Sequence, residues 1–264
     1  MTFVHKKRYG QNFLTDINLL KAIVSDAGVD NDSEVLEIGP GLGSLTNELS
    51  LSAKKVVSYE IDRELIPILN TKFENSNVKI INADIMNVTI DDIEENFDNK
   101  YVLVANLPYY ITTPIIFKFI EQSKKIYRLV VMVQEEVAQK ICAKADDKNY
   151  GITSVLLDAV GDCKITRKVN RKLFTPIPNV DSAILRIDLH KKYNIDFKKF
   201  SSLVNNSFAM RRKTLVNNLI ASYKLSREEA EGYLLKLDMP TTSRAENLTT
   251  DQFVKLYNFM FDNL

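Results

Sequence analysis

Short apolar runs recur along the first two thirds of the chain at spacings that suit a layered α/β fold. Residues 35–38, 56–61, 78–81, 102–105 and 129–133 are near-continuous apolar stretches of strand length, as expected of strands covered on both faces. Between them, residues 44–50 and 63–73 carry apolar positions three and four apart, which predicts helices. Strands alternating with helices imply right-handed βαβ units and a parallel sheet with helices on both sides. Two more strands are expected over 163–169 and 183–189, joined by the proline-bearing loop Phe174-Thr175-Pro176-Ile177-Pro178. Beyond His190-Lys191-Lys192 the pattern is helical throughout, over 197–209, 213–222, 226–236 and 250–261. Ser226 and Thr250 are suitable N-caps, and Glu229 completes a capping box with Ser226. The expected organisation is an α/β domain over 1–190 with a seven-stranded sheet, followed by a small helical domain over 191–264.

Composition adds limits more than identity. At 264 residues and 45% hydrophobic, the chain suits one large unit with an appendage. No apolar run approaches membrane-spanning length, and the first ten residues lack the apolar segment of a secretory signal, so no membrane role and a cytoplasmic setting are expected. Two cysteines, Cys142 and Cys163, form neither a disulfide framework nor a metal-ligand spacing, and no metal is expected. No sustained apolar seam is evident, so a monomer is expected.

Charge changes the picture through its distribution, since the net value is only +1. Acids gather at Asp91, Asp92, Glu94, Glu95 and Asp98. Bases gather at His5-Lys6-Lys7-Arg8, at Lys164, Arg167, Lys168, Arg171 and Lys172, and at Arg211-Arg212-Lys213. Any one basic cluster is as well explained by a solvated face; three of them suit a polyanion met on one side. Lys6, Lys7, Arg8, Arg211, Arg212 and Lys213 are the candidate nucleic-acid contacts.

Candidate chemistry lies at the strand exits. Glu37-Ile38-Gly39-Pro40-Gly41-Leu42-Gly43 follows the first strand and opens a helix, so glycine backbone and free N–H groups face an incoming ligand. Its glycines alternate, unlike the dinucleotide fingerprint, and no Lys-Ser/Thr follows as in a phosphate loop. Glu60 ends the second strand, where a carboxylate commonly accepts ribose hydroxyls. Asp84 ends the third and Asn106 the fourth. Singly, each polar residue is explained as a strand terminus. Gly39, Glu60, Asp84 and Asn106 in succession describe one rim, and open parallel sheets bind ligands there.

The fourth exit, Asn106-Leu107-Pro108-Tyr109, suits an exocyclic amino group. Such a nitrogen on adenine is a poor nucleophile because its lone pair is delocalised into the ring. The Asn106 amide oxygen and the Leu107 carbonyl can accept its two hydrogens and favour a tetrahedral nitrogen. Pro108 constrains Leu107 to extended backbone. Tyr109 can stack on an extruded base, in line with a sulfonium methyl donor, and Phe174 can close the other face, although core packing explains either aromatic alone. There is no HExxH, no Gly-x-Ser-x-Gly and no zinc-binding cysteine pair, and His5 and His190 are paired with no candidate nucleophile. An amino-group methyltransferase using S-adenosylmethionine is the reading these residues support.

Five segments then carry a more specific resemblance: Lys7-Arg-Tyr-Gly-Gln-Asn-Phe-Leu14, the Glu37–Gly43 loop, Asn106-Leu-Pro-Tyr-Tyr-Ile-Thr-Thr-Pro114, Phe174-Thr-Pro-Ile-Pro-Asn-Val-Asp-Ser182 and Phe208-Ala-Met-Arg-Arg-Lys-Thr-Leu215. Over nearly its whole length the chain resembles the small-subunit ribosomal RNA adenine dimethyltransferases, the family tied to kasugamycin sensitivity. The resemblance implies a Rossmann-like methyltransferase sheet and cofactor contacts at Asn12, Leu14, Gly39, Gly41, Glu60, Asp84 and Asn106. It also implies a substrate of two adjacent adenines, each dimethylated, in the 3′-terminal hairpin of 16S-type RNA in the 30S particle. Ala209-Met210 departs from the polar residues common before Arg211. Two alternatives share the fold: an erythromycin-resistance type enzyme acting on large-subunit RNA, and a nucleic-acid-binding module without catalysis.

Overall fold

A computed structural model describes residues 13–261. Contacts divide the chain into two compact units: the chain up to Ala138 together with Lys164–Leu189, and Gln139–Cys163 together with the chain from His190 onward.

The first unit is built on a seven-stranded sheet. Its elements are β1 (Phe13–Leu14), α1 (Ile17–Ala27), β2 (Glu34–Ile38), α2 (Ser44–Ser52), β3 (Lys55–Glu60), α3 (Ile66–Lys72), β4 (Val78–Asn82), α4 (Ile90–Glu94), β5 (Tyr101–Asn106), α5 (Thr112–Gln122) and β6 (Ile126–Gln134). After α6 (Glu135–Cys142) and α7 (Ile152–Val160) come β7 (Gly161–Val169), β8 (Phe174–Thr175) and β9 (Ser182–Leu189). The sheet order is β4-β3-β2-β5-β6-β9-β7. From β2 the chain first builds outward through β3 and β4, then returns to start β5 on the other side of β2. Such a reversal leaves a crevice at the carboxyl ends of the two neighbouring strands.

Strands β2 to β6 pair in parallel, and β9 is antiparallel to β6, with Val131 opposite Leu185. The sequence left the direction of the last two strands open, and the sheet is mixed at this end. β7 and β9 are joined by a loop, not by the helical crossover that a parallel return requires. Helix α1 covers one face against β5, β6 and β9. Asp16 caps its start by accepting from the Leu19 N–H at 2.8 Å, and left-handed Gly28 closes its end. Its buried Leu20, Ile23 and Val24 share a core cluster with Val35, Val56, Val102 and Val130, each worth about 1.5–3 kcal/mol on burial.

The second unit holds α7, α8 (Phe197–Ser207), α9 (Leu215–Tyr223), α10 (Arg227–Lys236) and α11 (Thr250–Phe261). The sequence placed one boundary near residue 190. The chain also passes between units after Ala138 and after Cys163, because α7, with Val155, Leu156 and Leu157 buried, packs on α8 and α11. Ser226 and Glu229 form the expected capping box. The cap of α11 lies one residue earlier than the sequence suggests: Thr249 Oγ1 accepts from Gln252 N–H, and Gln252 Oε1 accepts from Thr249 N–H. Among the described residues no helix is long and apolar enough to cross a membrane.

Candidate active site

Two strand exits meet in the crevice between β2 and β5. Beyond β2 the chain enters the left-handed region at Gly39 (φ 70°) and Gly41 (φ 59°), where L side chains are strained. The two positions need glycine for different reasons. A Cβ at Gly39 would stand in open space, so this stretch of backbone is bare toward the crevice. A Cβ at Gly41 would come within 2.7 Å of the Phe13 ring. Lys72, at the end of α3, holds the far side of the loop by donating to the Leu42 and Gly43 carbonyls at 3.1 and 3.0 Å.

Glu60 ends β3 with 4% of its surface exposed. One carboxylate oxygen accepts from Gly41 N–H at 3.1 Å and the other from Asp62 N–H at 2.8 Å. Burial pushes its pKa up, and these backbone donors pull it back. These backbone donors tie the carboxylate to the glycine loop, and a carboxylate with about four lone-pair sites keeps acceptor capacity beyond them.

Glu37, in the otherwise apolar β2, is 1% exposed. Its Oε2 accepts from Thr46 Oγ1 and Ser58 Oγ, both at 2.7 Å. Burial pushes this carboxyl up to about 7; the two hydroxyls and Lys72 oppose the rise, and Glu60 adds to it.

At the other exit, Asn106 ends β5 in register with Met132 of β6. Leu107 is buried. The Pro108 carbonyl accepts from Ile111 N–H and Thr112 Oγ1, each at 3.2 Å, which turns the chain through the short 3-10 segment Tyr109–Ile111 into α5. The Tyr109 hydroxyl shares a 2.7 Å hydrogen bond with Ser182 Oγ at the start of β9, and burial pushes the phenol pKa up. Leu14, Glu37, Gly39, Gly41, Glu60 and the whole Asn106–Tyr109 segment line one open cleft.

A family described as Ribosomal RNA adenine dimethylase matches residues 2–262. The chain belongs to this family. Among curated relatives, the Ribosomal RNA small subunit methyltransferase A of Mycoplasma capricolum is 38% identical over 97% of each chain. That of a Geobacillus species is 41% identical over 97% of this chain and 91% of its own. A crystal structure of a dimethyladenosine transferase from Plasmodium falciparum superposes with a TM-score of 0.82 at 27% identity, covering 95% of this chain and 98% of that one. The 23S rRNA methyltransferase ErmE gives 0.74, also at 27% identity, over 94% and 99%. The sheet described above is the Rossmann-like sheet of these methyltransferases.

Not every residue expected at this dimethylase's site reaches the cleft. Phe174 does not line it: the ring is 1% exposed and belongs to the core cluster of Leu14, Leu20 and Ile23, with Phe174 paired antiparallel to Leu14. As placed here it is a core residue and not an open stacking face. Asp84 is also absent from the cleft wall. Its carboxylate accepts from Met86 N–H at 2.9 Å and Asn87 Nδ2 at 3.0 Å, closing the turn after β4. Asn12, Lys6, Lys7 and Arg8 lie outside the described residues. In the second unit, Arg211, Arg212 and Lys213 are exposed between α8 and α9. The buried Asn218 amide shapes that turn, accepting from Met210 N–H at 2.9 Å. Glu37 is a cleft residue that sequence reasoning did not single out. Its signal was an acid inside an apolar strand, but Glu34 in the same strand gives the same signal away from the cleft, accepting from the backbone N–H groups of Asp98 and Asn99 and pairing with Lys54 at 3.9 Å.

Proposed function

We propose that this protein transfers methyl groups from S-adenosylmethionine to N6 of two adjacent adenines, dimethylating each, in the 3′-terminal hairpin of 16S-type RNA within the 30S particle, in the cytoplasm. One observation carries the reading: the glycine loop with Glu60 and the Asn106–Tyr109 exit line the same cleft. A cofactor-binding wall and an amino-group site thus share one space.

The residues fit the cofactor. Bare backbone at Gly39 admits a ligand, the acceptor capacity of Glu60 suits a ribose diol, and the acid Glu37 faces a cleft that would hold a cation. When bound, the cofactor supplies an electrophilic methyl group on a sulfonium sulfur. The protein's part is to bring N6 to it. The Asn106 amide oxygen and the Leu107 carbonyl accept the two N6 hydrogens and draw the nitrogen lone pair out of the ring. The Tyr109 ring, fixed through Ser182, offers a face to the adenine. Held in this way, N6 would be placed to accept the methyl group and then lose a proton to water. Arg211, Arg212 and Lys213 hold RNA phosphates.

The test offers 30S and 50S particles from cells lacking this methylation together with a radiolabelled methyl donor. N6,N6-dimethyladenosine in 30S RNA is the expected product. Label in 50S RNA instead would favour the activity named for ErmE and overturn the proposal.

A further inference from the structure

Residues 170–181, between β7 and β9, form a loop whose only buried side chain from 171 to 181 is Phe174, with Pro178 half-buried. Two ties pin it to the cleft, and a third closes it on itself. β8 pairs with β1, whose Phe13 and Leu14 both line the cleft. Arg171 closes the loop on itself, its backbone N–H donating to Asp181 Oδ1 at 2.9 Å and its guanidinium to the Asn179 carbonyl at 2.8 Å. Ser182, directly after the loop, holds the Tyr109 hydroxyl.

Fixed in this way, the loop presents Leu173, Ile177 and Val180 to solvent, and Tyr110 stands beside Tyr109 on the other side of that bond. Tyr110 and Ile177 are each 61% exposed. These four are among the eleven exposed large hydrophobic side chains of the described residues, so more than a third fall in two short segments joined at the cleft. Scattered exposed apolar residues need no explanation, but several on segments tied to a site's wall point to a contact surface. The exposed Arg171 and Lys172 adjoin it, so the partner has apolar faces and negative charge together.

We propose that this apolar lip receives the unstacked nucleobases flanking the target adenine, with Lys172 and Arg171 meeting the adjoining phosphates. The inference rests on the RNA substrate proposed above and assigns where the rest of its loop lies. Drawing one base out of a hairpin loop uncovers the faces of its neighbours. Aliphatic and aromatic side chains cover such faces whatever the base, while lysine and arginine neutralise the backbone.

Two measurements on the full-length protein test it, with unmethylated 30S particles as substrate. Ile177→Ser with Val180→Ser should raise KM for the particle by about tenfold or more, as expected for lost base packing. The same variant should leave kcat, cofactor Kd and melting temperature close to wild type, because the residues are exposed. Unchanged KM overturns the proposal. Separately, p-benzoylphenylalanine placed at position 177 should crosslink to nucleotides next to the methylated adenines. Crosslinks to a ribosomal protein or to distant RNA overturn it. A wild-type protein that fails to methylate the particle overturns the substrate reading, and the lip with it; methylation with unchanged KM in the variant sinks the lip alone.

Discussion

Replacing Glu37 with glutamine removes one ionisable group from the cleft while keeping its shape and an acceptor oxygen for Ser58 and Thr46. In the folded protein, burial raises this carboxyl from 4.5 to about 7; in the unfolded chain it returns to the ordinary value. Between those two pH values the folded form holds a proton that the unfolded form has released. Stability contributed here is therefore present at low pH and lost as pH rises through the folded pKa. A displacement of that size corresponds to about 3 kcal/mol, most of it falling between pH 5 and pH 8. Glu37→Gln carries no such penalty at either pH. Glu60 and Lys72 are common to both proteins, and the cost of burying the amide is constant with pH, so these largely cancel in the comparison. Urea unfolding of both proteins without cofactor should show the variant gaining about 2–3 kcal/mol on wild type from pH 5 to pH 8. An offset that stays constant across that range would refute the reasoning, and with it the raised pKa of Glu37.

Three further outcomes are expected. Asn106→Ala should bind 30S particles normally yet lose about 100- to 1,000-fold in kcat, measured by methyl incorporation, because one acceptor aimed at N6 is gone. Changing Arg211, Arg212 and Lys213 together to alanine should weaken RNA binding and flatten the log Kd against log salt slope by about two to three, read by filter binding across a salt series. Gly41→Ala places a Cβ 2.7 Å from the Phe13 ring at a positive φ. It should cost about 1–2 kcal/mol in urea unfolding and weaken cofactor binding in calorimetry.

The central strands were legible because strands buried on both faces must be largely apolar, as residues 35–38, Glu37 apart, and 102–105 are. Direction was not legible at β9. Its side-chain pattern is the same for either orientation, and only the lack of a helix between β7 and β9 distinguishes them. The affiliation of α7 was hidden for a similar reason: Val155, Leu156 and Leu157 say that the helix is buried, not against what. The glycine loop, Glu60 and Asn106 could be placed on one rim because strand order brings strand ends together. Phe174 could not be placed, since an aromatic beside prolines suits a core and a stacking face equally. Glu37 was hidden among buried acids, where Glu34 shows that a carboxylate in a strand can serve a neighbouring turn and a surface lysine outside the cleft.

The two-residue ladder between β1 and β8 bears on how the protein is made. Leu14 finds its partner, Phe174, 160 residues further along the chain. Translation delivers Phe13 and Leu14 near the start, yet the strand that seats them emerges after β2 to β7 have all been synthesised. The nascent chain can assemble the glycine loop and Asn106 earlier, from near neighbours, but the wall on the Phe13 side must wait for this distant pairing. That wall of the cleft therefore forms only once residue 175 has been made, well after the glycine loop and Asn106.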